Sequence, residues 1–406
     1  MNIIISEPII EEKKETIRLY SDITLGKIKK RLFYEYPIEY KKYVTYERID
    51  CFLIPIIPYA MIASKKSKSE KVVIKSNTKV SNQIMSNLKN LYLPTLSKNV
   101  EYLGGNIEFE IELDYSVFEN AGGCGTGVSG GIDSSYTIAK SIAQEDKTKK
   151  LTHGIFLNMG IYGGYDTEME KCLEANSQDI CKEIGINYLP IKTNTCLKLY
   201  RGAHGPIVPS IMMGTILSLQ KLFSNYLYSV DFSAEEQFFD IVHAARYDWL
   251  NTLCFSTQNT RFWPVGLEAT RMDKVKYLSD YEFSQKHTAV CINSKANAMN
   301  CSTCAKCTET MVELDAIGKL ELYNKVFDVK QYKKNLPYYM SYTFMKKWGK
   351  EEAATDSVQE YRKRNIHFSF KTYAWALVKY VRRGFRAANP NRIKVEEIIW
   401  REMDKN

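Results

Sequence analysis

The chain has 406 residues, enough for two or three domains and a sizeable core. Apolar residues make up 45% and charged residues 25%, which fits a globular protein and excludes a disordered or membrane-embedded one. The formal net charge is +9, and residues 330–406 hold 18 Lys and Arg against 8 Asp and Glu, so the whole excess sits in the C-terminal region.

No apolar run reaches the ~20 residues that span a bilayer. The longest, Cys51 to Ala63, is short and contains two prolines. The opening MNIIISEPIIEEKKE has no basic segment ahead of an apolar one, so it does not read as a signal peptide. A cytoplasmic location with no membrane association is expected, and the ten cysteines then suggest metal rather than disulfides.

Residues 1–118 read as an N-terminal α+β accessory domain. Val72-Val73-Ile74 and Ile107 to Leu113 have strand character, and Val80, Ile84, Met85, Leu88 and Leu91 recur at helical spacing. Residues 119–285 change to a βαβ rhythm. A glycine-rich turn leads into a helix over 134–144, then come a strand over 151–157, a helix over 166–184 stopped by Gly185, and a strand over 188–191. A buried helix over 207–222 and a strand over 226–232 follow. Such alternation implies a doubly wound parallel sheet covered on both faces. Residues 286–330 form a cysteine-bearing segment, and 331–406 a basic helical region.

Ser129-Gly130-Gly131-Ile132-Asp133-Ser134-Ser135 stands where a strand hands over to a helix. Glycines let backbone N–H groups approach an anion, and the helix N-terminus adds its positive dipole end. The hydroxyls of Ser129, Ser134 and Ser135 can donate to phosphate. Asp133 suits an N-cap or a carboxylate that helps hold Mg2+ between phosphates. The ordinary reading is a plain strand-to-helix turn. No Gly-x4-Gly-Lys-Ser/Thr string occurs, which argues against a kinase or GTPase type of loop. The preceding Gly122-Gly123-Cys124-Gly125-Thr126-Gly127-Val128 is poor in branched residues for a strand, and Cys124 is near enough in sequence to reach a nucleotide or simply to pack.

Cys291-x9-Cys301-x2-Cys304-x2-Cys307 offers four thiolates within seventeen residues, the donor set of a tetrahedral structural Zn2+ site. An iron–sulfur cluster competes, but the x3-Cys-Pro continuation of bacterial ferredoxins is absent, since Thr-Glu-Thr-Met follows Cys307.

The loop string resembles the SGGxDS signature of the PP-loop ATP pyrophosphatases. With the downstream cysteines it resembles 7-cyano-7-deazaguanine synthase, over roughly 120–315. The tail pattern C-x2-C-x-K-C-x2-T-M-x2-L-D is similar to that of a divergent PP-loop group. The resemblance implies a Rossmann-like ATP-binding domain of the PP-loop type with a C-terminal helical, zinc-bearing extension. It implies ATP at Ser129, Gly130, Gly131, Asp133, Ser134 and Ser135, and adenine against the backbone at Leu157 and Asn158. It implies an ATP-dependent, ligase-like activation of a carboxylate or amide oxygen as an AMP ester, for attack by a nitrogen nucleophile to give an amide or nitrile. Asp133, Ser134 and Arg271 are the catalytic candidates.

Arg201, His204, Ser233 and Lys274 are candidates for substrate or phosphate binding. Ser233 is equally suited to capping, because Glu236 lies three residues on. A small-molecule or carrier-bound substrate, an ammonia or sulfur donor protein, nucleic acid on the basic C-terminal region and a homodimer are the partners to consider. Sulfur transfer through Cys124 or Cys196, tRNA modification, and nucleotide binding without turnover are the alternatives. Trp375, Val378, Val381 and Phe385 share a helical face near Arg382, Arg383 and Arg386. They are expected to dock this helix and leave its basic face wet.

Overall fold

Strict alternation makes the first long strands. In the computed structural model, which describes residues 1–67, 71–201, 207–239, 243–293, 299–348, 352–387 and 395–403, every second side chain of Thr16–Leu25 is buried. The N-terminal strands are β1 (Asn2–Ile5), β2 (Ile9–Glu12), β3 (Thr16–Leu25) and β4 (Ile28–Pro37). They are followed by β5 (Val72–Lys75), the short β6 (Val80–Ser81), β7 (Ile107–Glu110) and the short β8 (Leu113–Asp114).

The apolar run at Cys51 to Ala63 forms the helix Asp50–Ser67, with Pro55 and Pro58 inside it. It is buried over most of its length and packs on the helix Val208–Leu217, which explains why it is apolar on all sides. The expected helix from Val80 starts a little later, at Asn82–Asn87. Ser81 caps it, its Oγ accepting from the Ile84 N–H at 3.3 Å.

The second half supplies β9 (Gly123–Gly127), β10 (His153–Asn158), β11 (Asn187–Thr193), β12 (Phe223–Ser229) and β13 (Arg261–Val265). All pairings among these five are parallel. Their order in the sheet is β13-β12-β9-β10-β11, so successive connections run outward on one side of β9 and then reverse at β12. A crevice at such a reversal, outside the carboxyl ends of the strands, is where ligands bind in open α/β sheets.

The sheet does not stop at β11. β4 pairs antiparallel with it through Lys192↔Glu35 and Thr193↔Tyr34, and the order continues β4-β3-β1-β5-β7. The fold is therefore α/β with one mixed, mostly parallel sheet running through both halves of the chain. One apolar core joins them, including Leu19, Phe52, Leu189 and Leu217. A second core lies between the helix Ile132–Ile142 and the helices beyond 270, and it includes Ile138, Val275, Met311 and Tyr361.

The glycine-rich strand β9 is buried and central. A Cβ on Gly125 would stand 2.9 Å from both Ile155 Cδ1 and Phe223 Cε1. The bulk expected of a central strand is thus supplied by its neighbours. Gly185 ends the helix Glu168–Ile184 in the left-handed conformation, as its sequence position suggested. No helix among the described residues is long and apolar enough to cross a membrane.

Candidate functional site

β9 ends at Gly127, and Val128 leads into the loop. Backbone and side-chain bonds fix that exit. Val128 N–H donates to Ile155 O at 2.8 Å, and Ser177 Oγ donates to Val128 O at 2.6 Å. Gly130 has φ +72°, and a Cβ there would lie 2.6 Å from His287 O and 2.8 Å from Asn176 Nδ2. Only glycine meets both demands.

The segment over the loop is itself pinned. Ala289 N–H donates to Gly130 O at 2.8 Å, and Asn176 Nδ2 donates to His287 O at 2.9 Å. Gly131 caps the helix Ile132–Ile142. Its N–H donates to Ser129 Oγ at 3.2 Å, while the Ser129 and Ser134 hydroxyls bond each other at 2.9 Å. Two hydroxyls and a run of helix-terminal N–H groups are thereby gathered at one point. Ser135 is buried, and its N–H donates to Gly131 O at 2.9 Å.

Asp133, in the first turn, does not cap its helix. Its Oδ1 accepts from Lys274 Nζ at 2.8 Å, and the same ammonium donates to Val230 O at 2.6 Å. Lys274 has no exposed surface, while Asp133 keeps 23% of its side chain in solvent. The basic side chain proposed for phosphate is therefore bound to the loop and to the end of β12 together.

Arg271 lies one turn before Lys274 on the helix Arg271–Leu278, which packs on the loop helix. Its Nε donates to Glu313 Oε1 at 2.9 Å, and Nη2 donates to Thr310 Oγ1 at 3.0 Å. Burial works to lower its pKa, but Glu313, Glu309 and Asp133 outweigh that effect and keep it protonated. Burial pushes the Glu313 carboxyl up to about 7, against the pull of Arg271.

Asp231 follows the end of β12 and opens to solvent. The protein packed around it and the Asp133 carboxylate push its pKa up to about 6, with Lys306, Lys274 and Arg271 opposing. Asp133, Asp231 and Lys274 thus meet near the carboxyl ends of β9 and β12, with Arg271 one helical turn from Lys274.

The remaining candidates are spread out. Asn158 is buried and folds the following loop, its Nδ2 donating to Tyr165 O at 2.9 Å and its Oδ1 accepting from Gly160 N–H at 3.0 Å. Leu157, partly buried, and Asn158 pair with Ile191 and Lys192 of β11. Ser233 caps a short turn, its Oγ and N–H both donating to Glu236 Oε2 at 3.0 Å. Arg201 ends the helix Thr195–Tyr200 with φ +50°, and that helix packs on β4 and Asp50–Ser67. His204 lies outside the described residues.

The cysteine cluster closes as its spacing suggested. The sulfurs of Cys291, Cys301, Cys304 and Cys307 all lie within 4.8 Å of one another. Bonds of ~2.3 Å to one tetrahedral ion imply sulfur–sulfur edges of ~3.8 Å. The Cys304–Cys291 edge is 3.8 Å. The set is a possible metal site compatible with zinc, and a multi-iron cluster would spread its sulfurs farther apart. Burial pushes the thiols of Cys291 and Cys307 up. At Cys301 burial is outweighed by hydrogen bonds from Thr303 and Cys304, and the thiol falls to about 6. Cys304 caps the helix Ala305–Ala316, whose next turns carry Thr310 and Glu313, the partners of Arg271. One helix therefore joins the cysteine cluster to the crevice.

Cys124 and Cys196 are buried, and burial raises both thiols to about 12. Cys124 also sits near the start of β9, ~13 Å of strand away from the loop at ~3.3 Å per residue.

Single-residue reading missed Thr310, Glu313, Asn176 and His287. Thr310 is the threonine of the C-x2-C-x-K-C-x2-T-M pattern, so its position carried a signal that spacing alone did not interpret. No family model, curated protein or solved structure matches this chain.

Proposed function

We propose that the chain is an ATP-dependent adenylating enzyme with a Rossmann-like core of the PP-loop type, acting on a carboxylate or amide oxygen. The observation that carries this reading is the convergence of the Ser129–Ser135 loop, Lys274 and Arg271 on the crevice between β9 and β12. In it, the loop N–H groups and the Ser129 and Ser134 hydroxyls hold the phosphates of ATP, and the backbone at Leu157 and Asn158 meets the adenine.

A substrate oxygen attacks the α-phosphorus, the bond to pyrophosphate breaks, and an AMP ester forms. Arg271 stabilises the charge that builds on the leaving pyrophosphate. Lys274, which has no exposed surface, acts only by offsetting the charge of Asp133, which would otherwise repel phosphate. Asp133 and Asp231 suit the oxygen ligands of Mg2+, which when bound supplies charge neutralisation between phosphates. A nitrogen nucleophile then displaces AMP. Catalysis here is positioning and electrostatics, with no covalent role for a side chain. The four cysteines would hold Zn2+ with no open position, which suits a structural role.

Nitrogen is favoured over sulfur because neither Cys124 nor Cys196 offers an accessible thiolate. The test is ATP binding by calorimetry, with pyrophosphate release across a panel of carboxylic acids and ammonia. Ser134→Ala and Asp133→Asn are expected to remove both signals. Undiminished ATP binding in both variants would sink the assignment.

A further inference from the structure

The helix Phe370–Ala387 is mounted the wrong way round for a docked amphipathic helix. Thr372, Ala376 and Lys379, spaced by four and three residues, form the stripe that meets the helix Leu336–Trp348. Thr372 and Ala376 are buried, and Lys379 Nζ donates to Tyr338 O at 2.6 Å. The opposite face carries Phe370, Leu377 and Val381, which are 85%, 57% and 48% exposed. The expectation that Trp375, Val378 and Val381 dock the helix is thus overturned at the two valines, while the expected wet basic face holds at Arg382 and Arg383. Small and polar residues make the close approach, Tyr373 and Trp375 flank it against Phe344 and Tyr338, and an aliphatic ridge faces outward.

The ridge is broad. Trp375, Val378 and Tyr380 beside it are also exposed, and Trp348 of the neighbouring helix extends it through an edge contact with Tyr380 at 6.0 Å. Seven of the large apolar residues exposed among the described residues belong to this one helix. An apolar ridge of this kind on a folded surface marks an interaction site.

Charge selects the partner. The helix contains Lys371, Lys379, Arg382, Arg383 and Arg386 and no acidic residue. Two copies of it would bring like charges together, which disfavours self-association. Nucleic acid would use the cations, but Leu377, Val378 and Val381 at the centre of the ridge can neither bond phosphate nor stack on bases. An outward aromatic and aliphatic ridge on a helix whose only charged residues are cations matches the water–lipid boundary of an anionic bilayer. We infer that this helix docks the protein, in plane, on a membrane surface bearing anionic phospholipid. That association needs no span and is independent of the adenylation reading.

The test uses the full chain with vesicles of equal parts phosphatidylcholine and phosphatidylglycerol, against pure phosphatidylcholine vesicles, in flotation. Binding is expected to favour the anionic vesicles by roughly tenfold or more and to fall steeply at ~1 M salt, where the screening length is about 3 Å. Leu377→Glu with Val381→Glu changes two exposed positions, so the fold should survive by circular dichroism while vesicle binding drops by roughly tenfold or more. Equal binding to both vesicle types, or binding unchanged in the double variant, overturns the inference. A dimer that the double variant dissociates, or single-stranded RNA bound in place of vesicles, assigns the ridge to another partner and overturns it as well.

Discussion

Removing the Asp133 carboxylate should cost stability as well as activity. From sequence alone Asp133→Ala looks like a clean functional knockout on an exposed loop. In the structure it would leave the Lys274 ammonium, which has no solvent-exposed surface, with Val230 O at 2.6 Å and without its 2.8 Å carboxylate partner. Orphaning a fully buried charge costs about 3–5 kcal/mol. The surviving carbonyl bond and the 23% of Asp133 open to water reduce that, so we expect about 2–3 kcal/mol. Lys274→Met should cost only about 1 kcal/mol, because Asp133 can rehydrate. The double variant should then lie close to Lys274→Met alone, a coupling of about 2–3 kcal/mol. Urea unfolding of the three variants reads this directly from the midpoints at constant slope. If Asp133→Ala unfolds with wild-type stability, the buried pair as described is wrong. The same measurement shows why Asp133→Asn is the better functional variant: its amide oxygen can still accept from Lys274.

Gly130→Ala combines a left-handed φ with a Cβ 2.6 Å from His287 O, so it should lose about 2–4 kcal/mol and weaken ATP binding; a fully stable, ATP-binding variant would contradict the cradle. Glu313→Gln and Thr310→Val should each slow pyrophosphate release by roughly tenfold by loosening Arg271, with ATP affinity nearly unchanged, which a comparison of kcat and KM would detect. Cys124→Ser and Cys196→Ser should retain activity after mild destabilisation, and loss of turnover with the fold intact would revive sulfur transfer. Burial pushes the Glu170 carboxyl up to about 7, so its ionisation opposes folding. Its contribution is complete below pH ~4.3, the unfolded value, and is lost as pH rises through about 7. Glu170→Gln should therefore melt higher than wild type at pH 8 and about equally at pH 4.5, and equal melting at both would refute this.

The parts of the site that were legible in sequence are those where backbone need dictates residue type. Gly130 is required by φ and by crowding, Gly185 by a helix stop, and the cysteines by coordination geometry. What stayed hidden is set by contacts between distant segments. Nothing near Lys274 in sequence announces Asp133, and nothing near β4 announces β11. The strand β9 misled for a related reason, since its bulk resides in Ile155 and Phe223. The C-terminal helix misled because its periodicity identified an apolar face without saying which way it turns.

The link between β4 and β11 also orders events at the ribosome. The partner of Tyr34 and Glu35 is Lys192-Thr193, which emerges more than 150 residues after them. Until then the nascent β4 presents an open edge, a template on which another chain can add a strand. Its first half reads Ile28-Lys29-Lys30-Arg31, and charges in that position discourage such pairing. Within the β3/β4 hairpin, which needs nothing beyond residue 37, Lys29 and Arg31 both pair with Asp22, at 3.0 and 2.7 Å, so the charged edge is in place before Lys192-Thr193 exists.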